Sequence, residues 1–267
     1  MTGVSHQALI GGSRKGTMIE AINGLGLQSG LKLCLDAGDA ASYTSGQSWL
    51  DRSGNGYDFF RGTTSASQAT DPTFNGTAGG QSASEYWSFD GGDYFTYDSS
   101  NEAWMDNMNK NNAIFSWATW VYITGALPVT VGATYTPTLS RGCWDIVINA
   151  APILRFNVYN ASDRALIMDS TAAVPLNAWV FLALTLNEAA GTATMQINGT
   201  QEAKTSTYSS PLANGSDLAM KIGAEGDGTF PLASGSRLHS FMAWEGTALS
   251  AGQILSLYDS TKVRFGH

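Results

Sequence analysis

The stretch from Ile114 to Ile123 alternates with period two. Phe115, Trp117, Thr119, Val121 and Ile123 fall on one side, and Ser116, Ala118, Trp120 and Tyr122 on the other. Both sides are largely apolar, which predicts a central strand covered on both faces. Shorter stretches rich in β-branched and aromatic residues recur between Gly, Asn, Asp and Ser clusters: Leu31 to Leu35, Tyr86 to Phe89, Tyr94 to Tyr97, Trp144 to Ile148 and Ile153 to Tyr159. Trp179 to Leu186, Thr192 to Ile197, Leu218 to Ile222 and Leu238 to Trp244 continue the series. Asn198-Gly199, directly after Ile197, is a tight-hairpin signal because both residues accept positive φ. No repeat of 20 to 50 residues is visible, which argues against propellers and solenoids. The pattern predicts an all-β sandwich.

The two ends depart from this pattern. Near the C-terminus, Ser250 is followed three residues later by Gln253, a capping box. Ile254, Leu257 and Tyr258 then repeat at helical spacing, predicting a short helix over one end of the sandwich. Residues 1–30 contain seven glycines and no lasting periodicity, although Met18, Ile19 and Ile22 suit one helical turn. We read 1–30 as an extended arm and 31–267 as the folded domain. Glycine-rich chain packs poorly on itself, so the arm is expected to dock on another subunit, with folding back along its own sandwich to cap an edge strand as the alternative. Arg14 and Lys15 would face acidic groups there, and Met18 and Ile22 would enter an apolar groove, making the protein an oligomer or part of an assembly.

Composition narrows the class. Of the 267 residues only 13% are charged, against a usual ~25%, and 14 basic against 22 acidic side chains leave a net charge of −8. Nucleic acid and anionic membranes are poor partners for such a surface. No apolar run reaches the ~18 residues of a membrane span, and no basic start leads into an apolar stretch. The expectation is a soluble chain made without a secretory signal. Cys34 and Cys143 read as ordinary buried thiols, with a bridge between them permitted but not required.

Four further features carry a resemblance. Gly30-Leu31-Lys32-Leu33-Cys34-Leu35-Asp36-Ala37-Gly38 leads to the Trp49-Leu50-Asp51-Arg52-Ser53-Gly54-Asn55-Gly56 turn, and Ser88-Phe89-Asp90-Gly91-Gly92-Asp93-Tyr94-Phe95 precedes the long strand. Asn177 to Thr185 is followed by Met195-Gln196-Ile197-Asn198-Gly199, and the chain closes with Lys262-Val263-Arg264-Phe265-Gly266. In this order they resemble the concanavalin A-like lectin/glucanase superfamily, and within it the laminin-G-like jelly rolls of bacterial surface and phage structural proteins. The resemblance implies an antiparallel jelly-roll β-sandwich and a virion surface component, attached to capsid or tail, displaying a lectin-like domain that binds host-surface glycans; the absence of a catalytic carboxyl pair from the sequence implies that it is not an enzyme. It would be made in the host cytoplasm and reside on the virion, touching other virion proteins through the arm. A free-standing bacterial carbohydrate-binding module at the cell surface is the alternative, and a glucanase-like glycoside hydrolase a further one.

The side chains bear on these readings unequally. Glycoside hydrolysis needs two carboxyl groups flanking the bond; the nearest approach, Glu225-Gly226-Asp227, lies in a loop-like stretch without the third carboxylate of the family's glucanases. His6, His239 and His267 are too scattered for a triad or a zinc site, so no catalytic residue is assigned. Calcium is the one candidate cofactor, with Asp51 and Asn55 beside the glycines of their turn as its best ligands. Carbohydrate binding needs exposed aromatic platforms near amide or carboxyl groups, and Trp49, Tyr57, Trp87, Trp104 and Tyr135 in loop-like segments are the candidates, with Trp244 behind them.

Overall fold

A computed structural model describes residues 16–135, 143–159, 164–208 and 218–267. In chain order the elements are α1 (Met18–Gly24), β1 (Leu31–Asp36), β2 (Ser48–Trp49), β3 (Phe59–Arg61), β4 (Thr73–Asn75), β5 (Tyr86–Ser88), β6 (Phe95–Tyr97), α2 (Ala103–Asn107) and β7 (Ile114–Tyr122). There follow β8 (Val129–Ala133), β9 (Cys143–Ile148), β10 (Ile153–Tyr159), β11 (Arg164–Ala173), β12 (Trp179–Asn187), β13 (Thr192–Ile197), β14 (Thr200–Thr205), β15 (Lys221–Ile222), β16 (Arg237–Glu245) and α3 (Ala251–Thr261). The strands form two antiparallel sheets. The first runs β14-β13-β12-β7-β16-β5-β4 with β1 also on β16, and the second runs β11-β10-β9-β8-β15-β6-β3-β2. This is the predicted sandwich.

Period two explains how the first sheet is buried on both sides. On β7, Phe115, Trp117 and Val121 enter the core between the sheets, with Leu182 and Leu184 of β12 and Phe241 of β16. Ala118 and Trp120 point the other way, where Phe181, Met242 and Trp244 join them in a second core. The Asn198-Gly199 hairpin has φ of 48° and 82°, the paired positive values its sequence required.

Helices α1 and α3 and the turn after α3 cover that second core. Ser250 and Gln253 make both bonds of the predicted capping box. The helix lies across the outer face of the first sheet rather than over an end of the sandwich, through Ile254, Leu257 and Tyr258. In the closing run, Phe265 stacks on Trp120 with centroids 4.0 Å apart, and Gly266 ends the turn at φ 82°. Trp120 Nε1 donates to Thr261 Oγ1 at 2.9 Å. No helix among the described residues is long and apolar enough to cross a membrane.

Residues 16–30 correct the expectation that Met18 and Ile22 dock on another chain. Thr17 and Glu20 cap α1, and Met18 and Ile22 are fully buried against this chain's own outer core. The Met18 amide donates to Asp36 Oδ2 at 2.7 Å, and Trp244 Nε1 donates to the Leu27 carbonyl at 2.7 Å. Gly30 (φ 77°) lies so close to the β16 end that a Cβ there would stand 2.5 Å from the Glu245 carbonyl. The physical reason is supply: the sheet's outer face offers the apolar groove that the arm was expected to seek elsewhere. Arg14 and Lys15 lie outside the described residues.

Candidate functional site

The outer face of the second sheet has no helix over it among the described residues, and alternation along three neighbouring strands decides what stands there. Val129 and Val131 of β8, Trp144, Ile146 and Ile148 of β9, and Leu154, Phe156 and Val158 of β10 all enter the core. The intervening positions therefore turn outward: Thr130, Asp145, Val147, Arg155, Asn157 and Tyr159. With Tyr135 after β8 and the loop after β15, they line a cleft of about 280 Å³.

Its floor is polar and largely dry. Asn157 stands directly opposite Asp145 in the β9–β10 register. Asn157 Nδ2 donates to Asp145 Oδ1 at 2.6 Å, and the Tyr159 hydroxyl donates to Asp145 Oδ2 at 2.9 Å. Burial, only partly offset by these two bonds, pushes the Asp145 carboxyl up to about 6. Two floor atoms, Asn157 Oδ1 and Thr130 Oγ1, are buried with no hydrogen-bond partner. Native proteins rarely leave such groups unsatisfied, at about 1–3 kcal/mol each.

The rim comes from the loop after β15, bound to β8 at several points. The Gly223 amide donates to the Val131 carbonyl at 2.9 Å, the Gly226 amide to the Tyr135 carbonyl at 2.6 Å, and the Thr130 amide to the Phe230 carbonyl at 2.9 Å. A Cβ on Gly226 would meet the Tyr135 carbonyl oxygen at 3.0 Å, so a side chain here would push the two segments apart by a few tenths of an ångström. Glu225 is buried under the rim, with Thr229 Oγ1 donating to its Oε2 at 3.0 Å. Burial first, and then the Asp145 and Asp227 charges, push its carboxyl up to about 7. Phe230 is left 47% exposed at the mouth with φ 47°, a left-handed conformation rare for a bulky side chain. Backbone strain of this kind clusters at ligand-contacting positions.

Both arginines of the cleft are engaged. Arg155 forks onto Asp169, with Nε and Nη2 each 2.7 Å from a carboxylate oxygen. The Arg164 guanidinium lies 5.5 Å from the Tyr159 ring centroid. Tyr159 also stacks on Tyr135, centroids 3.9 Å apart.

Of the aromatic platforms expected from the sequence, Tyr135 alone lines this cleft. Trp49 and Trp87 are fully buried between the sheets, and Trp104 is 3% exposed in the same core. None of the three offers a ring face to a ligand, because a wide sandwich needs their volume; Trp244 is likewise buried, in the outer core. Tyr57 is half-buried against Tyr97 and Trp104. Asp145, Asn157, Thr130 and Phe230 are the residues that sequence reasoning missed.

The Asp51–Asn55 turn serves the backbone. Asp51 accepts from the amides of Cys34, Ser53 and Tyr57 and from the Ser53 hydroxyl. Asn55 Nδ2 donates to the Leu31 and Lys32 carbonyls. A calcium ion at these two residues would have to displace donors already in place. Among the described residues no group of three or more His, Cys, Asp or Glu is placed to hold a metal. Cys34 and Cys143 are both buried and form no disulfide.

Comparison with known proteins agrees with this architecture. The family described as the concanavalin A-like lectin/glucanases superfamily, of laminin G type, matches residues 89–255. The match spans more than half of the chain, which therefore belongs to that superfamily. Among solved structures the chain is similar to domain 4 of an extracellular arabinanase from Geobacillus stearothermophilus, in complex with arabinotriose. Identity there is 15% and the TM-score 0.55, covering 85% of this chain and 98% of that domain. It is also similar to botulinum neurotoxin type C, whose cell entry depends on two ganglioside molecules, at 15% identity and TM-score 0.60, covering 88% of this chain and 52% of that one. Trypanosoma rangeli sialidase in complex with sialic acid follows at 13% identity and TM-score 0.55, covering 89% and 34%. The chain thus spans the whole arabinanase domain, about half of the toxin chain and a third of the sialidase. No curated protein sequence matches it.

Proposed function

We propose that this domain binds a glycan in the cleft on the second sheet and does not cleave it. The observation that carries the reading is an exposed, strained Phe230 standing over a floor that holds two buried polar atoms without partners. A sugar has the matching chemistry: an apolar C–H face to lie on the ring and hydroxyls to reach Asn157 Oδ1 and Thr130 Oγ1. The arabinotriose, ganglioside and sialic acid named for the similar structures make glycan the ligand class to test first.

The absence of cleavage rests on how the carboxyls are held. Asp145 is 2% exposed with each oxygen already accepting a hydrogen bond, so it is poorly presented to a glycosidic oxygen or an anomeric carbon. A glycan array followed by calorimetry tests the binding. Phe230→Ala should weaken affinity about tenfold, equal to ~1.4 kcal/mol, with the fold intact because the ring is exposed. Incubation with β-glucans, agarose and alginate should release no reducing ends; release abolished by Glu225→Gln would replace this reading with a hydrolase.

The setting we propose is the surface of a virion, with the domain turned toward host glycans, on the resemblance of the Lys262-Val263-Arg264-Phe265-Gly266 ending to phage structural proteins. Antibody against the purified protein should decorate intact particles. Failure to do so, with the protein found on bacterial envelopes, would favour the free-standing module.

A further inference from the structure

We infer that the cleft selects neutral, hydroxyl-donating sugars over acidic ones such as sialic or uronic acids. The inference rests on the glycan reading above and adds the ligand's charge class. Hydrogen-bond bookkeeping on the floor leans toward acceptors. Asn157 Oδ1 is an unpartnered acceptor, Thr130 Oγ1 is an unpartnered hydroxyl, and both residues are at most 2% exposed. Asp145 and Glu225 add carboxyl oxygens, each with acceptor capacity beyond the bonds it makes. Such a floor asks its ligand for donors. Sugar hydroxyls supply them; a carboxylate supplies none.

Charge points the same way. Burial first, and then the Asp145 and Asp227 charges, already resist ionisation of Glu225 in this cleft. A third carboxylate would enter the same partly dehydrated space. Of the cations beside the cleft, Arg155 already has its charge paired by bidentate contact with Asp169, and Arg164 lies over the Tyr159 ring. Turning the Nε–Nη2 edge of Arg155 onto a ligand would mean breaking two charge-assisted bonds of 2.7 Å, the strong class of hydrogen bond. A neutral sugar needs neither rearrangement. Phe230 at the mouth discriminates no further, since a ring face stacks on neutral and acidic pyranoses alike.

Calorimetry on the full chain with arabinotriose, xylotriose and cellotriose against 3′-sialyllactose and trigalacturonate tests this, with Phe230→Ala and Glu225→Gln measured beside the wild type. At least one neutral trisaccharide should bind in a Phe230-dependent manner and about tenfold more tightly than either acidic one. Glu225→Gln, an isosteric change, should narrow that gap by strengthening the acidic sugars. Acidic sugars bound as tightly as neutral ones, through Phe230, would overturn the charge class and leave the glycan reading standing. No binding by any of the five, or binding indifferent to Phe230→Ala, would overturn both. Should circular dichroism show Glu225→Gln misfolded, Asp145→Asn makes the same test from the floor of the cleft.

Discussion

Replacing Asp145 by asparagine should make the protein more stable at neutral pH. The carboxyl is 2% exposed and its pKa stands at about 6, against an ordinary 3.8, chiefly because burial disfavours its charged form. The unfolded chain releases this proton near pH 3.8 while the folded chain keeps it to about 6. The contribution of Asp145 to stability is therefore fully present below 3.8, falls as pH rises through 6, and stays lost above. At about 1.4 kcal/mol per pH unit, the gap between 3.8 and about 6 is worth about 3 kcal/mol. In Asp145→Asn the new amide oxygen accepts from Asn157 Nδ2 and its nitrogen donates to the Tyr159 oxygen. Both cleft bonds persist as neutral ones, and no charge remains to be buried. Urea titrations at pH 7.5 should show the midpoint raised by about 1 M, for a slope near the upper end of the usual ~1–3 kcal/mol per molar. At pH 3.5 the two proteins should nearly coincide. A variant as stable as the wild type at pH 7.5, or less so, would mean that the charge-assisted bonds outweigh the burial cost, and the account of this cleft as an unwelcoming place for negative charge would be wrong.

Other sites give independent checks. Ile22→Ala removes a fully buried side chain from the outer core and should cost about 2–5 kcal/mol; an unchanged urea midpoint would restore the arm as a segment seated elsewhere. His239 is fully buried, and burial together with the Arg264 charge lowers it to about 3. The unfolded chain takes a proton near pH 6.5 and the folded one does not until about 3, so stability should fall as pH drops between those values. A His239→Asn variant, whatever its stability at pH 8, should show a shallower acid-side decline in calorimetric melts; an equal slope would assign that decline to other groups. Asp51→Ala strips the acceptor from four donors and should destabilise by about 1–3 kcal/mol or more, whereas exchanging EDTA for millimolar calcium should leave the melting temperature of the wild type unchanged.

Much of the fold was written in periodicity, and the exceptions share a cause. The β7 alternation gave both cores at once, since two apolar faces on one strand demand two coverings. Capping box and hairpin were legible because each places specific residue types at fixed offsets. Strands β2 to β4 span two or three residues, too few for a period to show. The edge strand β14, Thr-Gln-Glu-Ala-Lys-Thr, buries nothing fully and so has no apolar side to read. For α1 the sequence told that Met18 and Ile22 would be covered, but not by what. The complementary surface comes from β1 and α3, elements from opposite ends of the folded chain.

The cleft was harder to read for a physical reason that separates packing aromatics from binding ones. A Trp buries some 150–250 Å², and here Trp49, Trp87, Trp117, Trp120, Trp144 and Trp244 are all spent on two cores. Loop-like flanks did not protect Trp49 or Trp87 from that demand, because β2 and β5 are short strands whose neighbours read as loop. Phe230 escapes it because the backbone holding it is tied to β8 in a left-handed turn, a geometry invisible to any hydropathy pattern. A usable signal did exist in the charges. Asp145 interrupts an otherwise apolar strand at a position whose neighbours point inward, and Arg155, Asn157 and Tyr159 repeat the same parity on the next strand. When parity turns polar groups on two adjacent strands to one face, cross-strand pairing brings them together at ~5 Å, so the polar minority within strongly apolar strands marks the site more reliably than the aromatic majority.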